Sequence, residues 1–295
     1  MQSTPVFFFV FFLLFLFSLS FLALSIMVRK NRAHWTSTST STPAFDSERF
    51  LSEKNQETFE KLNILRSVWF ERKVVLDELD SEIRRNFELR GWLPLMDINH
   101  PPLATLIREF YLNLSVLSND SNTQFVKSWI RGEEYVITPS VVASALGLPK
   151  VQYPMYPYDE SPPLNDIMSY LTGTSIQWGT DPRITFHELI EIHYLFFRIS
   201  CHSIWPISHL HTIPIERCAF LYALMTNTPM SFHHLFIRSL VKVHRSSSFA
   251  HALFFLVFIH RILLHLGLDE FPASEPIHII APIGATFLRQ RELLR

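Results

Sequence analysis

The densest group of side chains that could do chemistry lies in the segment CHSIWPISHLHTIPIERC, residues 201–218. Its potential zinc ligands are Cys201, His202, His209, His211 and Cys218. Thiolates and imidazoles are the usual zinc ligands, but this spacing matches neither a zinc finger nor a compact CCHC knuckle, whose ligands lie two to four residues apart. Both cysteines stand in apolar sequence, where a free cysteine behaves as a small hydrophobe. We predict that the segment is structural and holds no metal; a zinc site and a disulfide are the alternatives.

Motifs that identify common enzymes are absent from the sequence. It contains no P-loop, no GxGxxG, no GxSxG elbow, no Asp-Thr/Ser-Gly triplet and no paired-aspartate polymerase signature. Only 7 glycines occur in 295 residues, which disfavours nucleotide-binding folds that need glycine for close phosphate approach. We assign no catalytic residue, no cofactor-binding residue and no cofactor, and predict that the protein is not an enzyme.

Basic residues form two modest clusters. One contains Arg238, Lys242, His244 and Arg245, and the other contains Arg289, Arg291 and Arg295. Either cluster could contact phosphate, although solvated helix ends account for both equally well. The net charge is only −1, so no overall field favours nucleic acid or a membrane surface.

The first domain, residues 1–27, is hydrophobic. Val6–Met27 carries no charge and has the ~20 residues that a membrane-spanning helix needs. The segment has three interpretations: a membrane anchor, a cleaved signal, or a gene-model extension. The third arises because Phe, Leu and Ser are the residues that pyrimidine-rich codons specify, so a T/C-rich tract translated by mistake would give such a run. Arg29, Lys30 and Arg32 follow it, so an anchor would leave the remaining chain in the cytosol. We predict a single-pass membrane protein with a cytosolic domain if the segment is expressed, and a cytoplasmic or nuclear protein otherwise.

Two sequons offer a check on this topology. Asn113 and Asn119 each begin an Asn-x-Ser sequence and would meet the glycosylation machinery only in a lumenal domain. We predict no glycan and reduced cysteines.

Three further regions follow the hydrophobic segment. Residues 28–45 are a Ser/Thr-rich stretch that we predict to be a disordered linker, and 46–67 has the apolar spacing of an amphipathic helix. Residues 68–295 are predicted to be a mainly α-helical globular domain with a small β-hairpin. Its predicted helices lie within 81–90, 103–114, 139–146, 164–172, 185–203, 215–226, 232–244 and 249–266.

Local signals define several of these elements. Asp80 is a predicted N-cap with Gly91 as the helix stop, and Thr138-Pro139 begins a helix that Gly147 ends. The dipeptide Arg131-Gly132 separates two extended runs, as in a tight hairpin. Thr185 and Glu188 form a capping box. We also predict extended chain at Val68–Leu76 and Trp92–Met96, and a core helix rather than a second membrane span at 249–266.

Long segments of the chain resemble a known family. The segments that carry the resemblance are RRNFELRGWLPLMDINHPPLATLIREFY, FVKSWIRGEEYVITPSVVASALGLP, YDESPPLNDIMSYLTG, IQWGTDPRIT, HSIWPISHLHTIP and APIGATFLRQR. They are similar to the putative plant transposon protein family, which is itself similar to the first open reading frame of Athila-type Gypsy-class retrotransposons. The similarity extends over about residues 68–292.

The resemblance implies a retroelement-derived, non-enzymatic gag-like or accessory protein with possible self-association. The alternatives are a nucleic-acid-binding, transposase-like accessory protein and a membrane-anchored plant protein. Nucleic-acid binding has no support from a zinc knuckle, and the end of the chain within a predicted helix suggests a truncated reading frame.

Overall fold

Helices make up most of the regular structure that the chain forms. The structure is a computed structural model, and it describes residues 44–61, 69–99, 102–118, 123–157, 164–175, 183–207, 211–246, 253–268 and 280–289. The helices in these residues are α1 Glu53–Lys61, α2 Ser81–Leu89, α3 Leu93–Met96, α4 Ala104–Leu112, α5 Pro139–Leu146, α6 Leu164–Thr172, α7 Glu191–Ile199, α8 Ile215–Met225, α9 Phe232–Arg245, α10 Leu256–His265 and α11 Ala285–Arg289. This confirms the mainly helical class.

Two small antiparallel sheets accompany the helices in the described residues. The first contains β1 Ser115–Ser118, β2 Gln124–Ile130 and β3 Glu133–Ile137 in that order. The second pairs β4 Arg183–Thr185 with β5 Thr212–Pro214. The predicted hairpin is confirmed as β2–β3, since Arg131 and Gly132 both have positive φ, at 51° and 87°. The sequence analysis did not predict β1, because a four-residue strand that is defined by its pairing with β2 carries little sequence pattern of its own.

The predicted helix boundaries are confirmed where they rest on local hydrogen bonds. The Asp80 side chain accepts a bond from the backbone N–H of Glu82 at 2.8 Å. The Thr138 hydroxyl accepts from the backbone N–H of Val141 at 3.3 Å, and Gly147 ends α5 with φ 68°. These caps satisfy backbone groups that a helix end leaves without partners.

Four predictions of local structure need correction. Trp92–Met96 is not extended, because residues 93–96 form the short helix α3. Val68–Leu76 forms no strand in its described part; Val74 makes an isolated bridge to Ile283. The Thr185–Glu188 capping box exists but opens a 3₁₀ turn, and α7 begins later, at Glu191. The predicted amphipathic helix at 46–67 is helical from Glu53 to Lys61; residues 62–67 lie outside the described residues.

The core is built around α10, which packs against α4 and α5. Its residues from Leu256 to Ile259 are at most 3% exposed, so α10 is a core helix, as predicted. It is shorter than the predicted 249–266, since 253–255 are not helical and 249–252 lie outside the described residues. Aromatic rings surround its N-terminal end: the Phe232 ring centre lies 5.6 Å from that of Phe258 and 6.1 Å from that of Phe255. Such pairs stabilise a core beyond the area that they bury.

Asn113, the first residue of one sequon, lies in the interior and is 2% exposed. Its amide nitrogen donates to the carbonyl oxygens of Arg49 and Trp129, both at 2.8 Å. It therefore joins the segment before α1 to the hairpin. The second sequon at Asn119 lies outside the described residues.

None of the helices in the described part of the chain is both long and apolar enough to cross a membrane. The predicted hydrophobic helix at 1–27 and nearly all of the predicted linker at 28–45 lie outside that part. The hydrophobic helix stays a prediction that the structure does not support.

Candidate functional site

A surface cleft of about 900 Å³ runs along helix α9. Other parts of its wall come from the start of β2, the proline-rich loop before α6 and the first turn of α8. Its described lining residues are Thr123, Gln124, Pro154, Pro157, Glu216, His234, Ile237, Arg238, Val241, Lys242, Arg245 and Ser246. We call it the α9 cleft.

The α9 wall of the cleft is a stripe of basic side chains. His234, Arg238, Lys242 and Arg245 are spaced by four, four and three residues, which places them on one helical face. The stripe is about 16 Å long at the helical rise per residue. All four are exposed, and α9 contains no aspartate or glutamate. The helix therefore presents basic side chains along its full length.

One carboxylate lines the described wall of the cleft. Glu216 of α8 accepts a bond from Lys242 Nζ at 2.5 Å, and the Lys242 side chain remains 70% exposed. An exposed pair of this kind contributes little stability and is screened by salt. Lys242 is thus partly neutralised.

Helix electrostatics explain only part of the stripe. Lys242, His244 and Arg245 lie in the last turn, where cations interact favourably with the helix dipole. His234 is in the first turn and Arg238 in the middle, where the dipole gives a cation no such benefit. The pKa of the neighbouring His233 falls to about 4, through burial first and then through the charges of His234 and Lys150.

Only part of the first predicted basic cluster lines the α9 cleft. Arg238, Lys242 and Arg245 line the cleft, whereas His244 is exposed on α9 outside the lining. Sequence reasoning missed His234, although its i, i+4 spacing to Arg238 was a usable signal. In the second cluster Arg289 ends α11, and Arg291 and Arg295 lie outside the described residues.

The cysteines and histidines of the segment 201–218 do not share one site, because each described side chain contacts different neighbours. Cys201 and Cys218 are buried free thiols, and burial raises the pKa of each to about 12. Zinc binds the thiolate, which such burial disfavours. His202 contacts Phe287 and His211 contacts Phe186, while His209 is outside the described residues. Within the described residues, no group of three His, Cys, Asp or Glu side chains is placed to hold a metal ion.

The fold and the cleft define a helical protein with small antiparallel sheets and a cationic surface groove. The profile of the Putative plant retrotransposon-related domain matches residues 88–269, which is more than half of the chain. The chain belongs to this family and derives from a mobile element of plants, which confirms the resemblance seen in the sequence. No curated protein and no solved structure matches it.

Proposed function

We propose that the protein is a non-enzymatic, gag-like accessory protein of a plant retroelement whose α9 cleft binds the phosphate backbone of nucleic acid. One observation carries the binding proposal: every exposed side chain of α9 is a histidine, arginine or lysine. The residues are His234, Arg238, Lys242, His244 and Arg245. The stripe lies within the matched family region, 88–269.

The chemistry of the cleft suits a backbone rather than a base sequence. Arginine forks bind phosphate oxygens in a bidentate manner, and Arg238 and Arg245 stand about 10 Å apart along the helix axis. Thr123, Gln124 and Ser246 add neutral hydrogen-bonding groups to the wall. Contacts of this type position a protein on nucleic acid without reading sequence. We therefore expect binding with little sequence preference.

The number of cations sets the expected salt dependence. About three phosphate contacts on a single strand give a slope of roughly −2 in log K against log salt concentration. Anisotropy titrations of a labelled single-stranded RNA with the full chain, between 50 and 200 mM salt, measure this slope. Arg238→Gln with Arg245→Gln should weaken binding about tenfold and reduce the magnitude of the slope by about 1.4, because two of the three contacts are lost.

A matched control removes the same charge elsewhere. Lys54→Gln with Arg85→Gln changes two exposed cations on α1 and α2, away from the cleft lining. This variant should bind RNA with the affinity and slope of the parent. Equal losses in both double variants, or no RNA binding by the folded parent, would refute the cleft as a nucleic-acid site.

The gag-like part of the proposal rests on family membership and is tested separately. A gag-like protein self-associates, so the sedimentation coefficient of the full chain should rise with protein concentration. A monomer over the whole concentration range would remove the gag-like role and leave the accessory role.

A further inference from the structure

A second cationic group surrounds one aromatic ring on another part of the molecule. The guanidinium carbons of Arg72 and Arg198 lie 4.1 and 4.2 Å from the centre of the Phe287 ring. The His202 ring approaches the same ring at 5.2 Å between centres, with its plane at 80°. We call Arg72, Arg198, His202 and Phe287 the Phe287 cluster. Residues 281–289, which carry Phe287, are called the strap.

The cations of the cluster have no acidic partner among the described residues. The pKa of Arg72 is lowered by burial and then by Arg198. The pKa of His202 falls to about 3 through burial first and then through Arg198 and Arg72. Cation–π contacts with Phe287 offset part of the repulsion, but they supply no negative charge.

Two buried polar atoms of the cluster have no hydrogen-bond partner. They are Arg198 Nε and His202 Nε2. Unsatisfied buried groups are rare in native proteins because each costs its desolvation free energy. Ser200 and His202 belong to a π-helical turn, Ser200–Ile204, that follows α7. Such turns are frequent at functional sites.

The backbone holds Arg72 against this turn. The Arg72 N–H donates to the carbonyl of His202 at 2.8 Å, and the Ser203 hydroxyl donates to the carbonyl of Arg72 at 2.7 Å. The backbone of Arg72 is therefore held against this turn by bonds that do not involve the strap.

The strap supplies the acceptor that Arg72 uses. Arg72 Nε and Nη2 donate to the Ala281 carbonyl at 2.8 and 2.6 Å. Ile283 is fully buried, and the Ala285 N–H donates to Glu78 Oε2 at 2.8 Å. A neutral carbonyl and an aromatic ring thus satisfy groups that an anion would satisfy better.

We propose that Arg72, Arg198 and His202 form a binding site for a compact phosphate oxyanion, and that the strap closes this site by placing Phe287 over it. The donors exceed what the two oxygens of a carboxylate accept, since two guanidinium groups and an imidazole converge on one ring. A tetrahedral phosphate has enough oxygens for all of them. The site is independent of the α9 cleft, and Phe287 lies beyond the matched family region.

The test measures inorganic phosphate binding to the full chain by titration calorimetry, with acetate as the carboxylate comparison. A closed strap lowers apparent affinity by the fraction of molecules that are open. Phe287→Leu keeps an apolar side chain but removes the aromatic face, so it should bind phosphate at least about tenfold more tightly than the parent. It should bind acetate no more tightly than the parent does.

A second change assigns the binding to the cluster. Arg198→Gln in the Phe287→Leu background should reverse the gain by about tenfold, whereas Arg85→Gln, which removes an exposed cation on α2 outside both sites, should leave it unchanged. If Phe287→Leu does not fold, Gly284→Ala replaces it. A Cβ on Gly284 would lie 2.3 Å from Glu78 Oε2, so this variant must displace the carboxylate that holds Ala285.

Two results would overturn the proposal. One is equal phosphate affinity in the parent and in the folded opened variant. The other is a gain that persists after Arg198→Gln, which would place the phosphate elsewhere.

Discussion

The α9 cleft and the region around Glu71 and Arg72 both bring ionisable side chains together, but they do so under opposite conditions. The cations of α9 stand in water, where the Lys242 side chain is 70% exposed. Glu71 is 4% exposed, and its Oε1 has no hydrogen-bond partner. Solvent screens the first set, so its charges cost little and remain available to a partner. Desolvation dominates the second set, so burial opposes the ionisation of Glu71 and His202 and links their protonation to the stability of the fold.

The largest effect is expected at Glu71. Burial raises its pKa to about 8 from an ordinary value of 4.5, although its Oε2 accepts a bond from the Val257 N–H at 3.1 Å. Between these two pH values the native state keeps a proton that the unfolded chain has lost. The free energy of unfolding should therefore fall as pH rises from about 4.5 to 8.

Glu71→Gln should remove this fall and make the protein more stable than the parent at pH 9 by a few kcal/mol, on the order of the shift in pKa. Urea unfolding at pH 5, 7 and 9 measures it. Glu53→Gln, which changes an exposed carboxylate in the first turn of α1, is the matched control and should leave the pH profile as it is. A profile that Glu71→Gln does not change would mean that Glu71 is ionised in the native state.

The opposite slope is expected on the acid side from His202. Its pKa is lowered from 6.5 to about 3, so the unfolded chain binds a proton that the native state excludes. Stability from this group should be lost as pH falls from 6.5 toward 3. His202→Gln should reduce the loss between pH 6.5 and 4.5 by ~2 kcal/mol, with His244→Gln as an exposed control. An unchanged acid slope would contradict the buried state of His202.

A substitution at Gly132, which lies outside both regions, shows how much a purely local backbone change costs in the free energy of unfolding. Gly132 has φ 87°, and an added Cβ would meet no atom within 4 Å. Gly132→Val should therefore cost ~1 kcal/mol or more through backbone conformation alone. Gly132→Asn should cost less, because asparagine tolerates positive φ. Thermal unfolding compares them, and an unshifted melting curve for the valine variant would argue against the observed turn.

The smallest effect on stability is expected in the α9 cleft. Lys242→Gln removes an exposed ion pair and should change the free energy of unfolding by less than ~0.5 kcal/mol. Urea unfolding at low and high salt checks this. A loss above 1 kcal/mol would show that the cleft charges act on the fold, which would erase the contrast between the two regions.

The sequence by itself determined what depends on neighbours a few residues away. Asp80, Thr138 and Gly147 act through bonds within one helical turn, and the Arg131-Gly132 turn needs only its own backbone. The family was also recognisable from the sequence, since long segments resembled it, and the family match over residues 88–269 confirms this resemblance. In the α9 cleft, the stripe of Arg238, Lys242 and Arg245 was visible as a basic cluster for the same reason.

Only the tertiary structure decided the remaining parts of both charged regions. Whether the basic cluster was a helix end or one wall of a cleft depended on β2, the proline-rich loop and α8, which lie far from α9 in the chain. Arg72 meets the carbonyl of Ala281 across 209 residues. Helix α3 and the bridge of Val74 to Ile283 likewise replaced predicted strands. Periodicity and capping report hydrogen bonds between near neighbours, whereas burial and long-range pairing follow from packing of the whole chain.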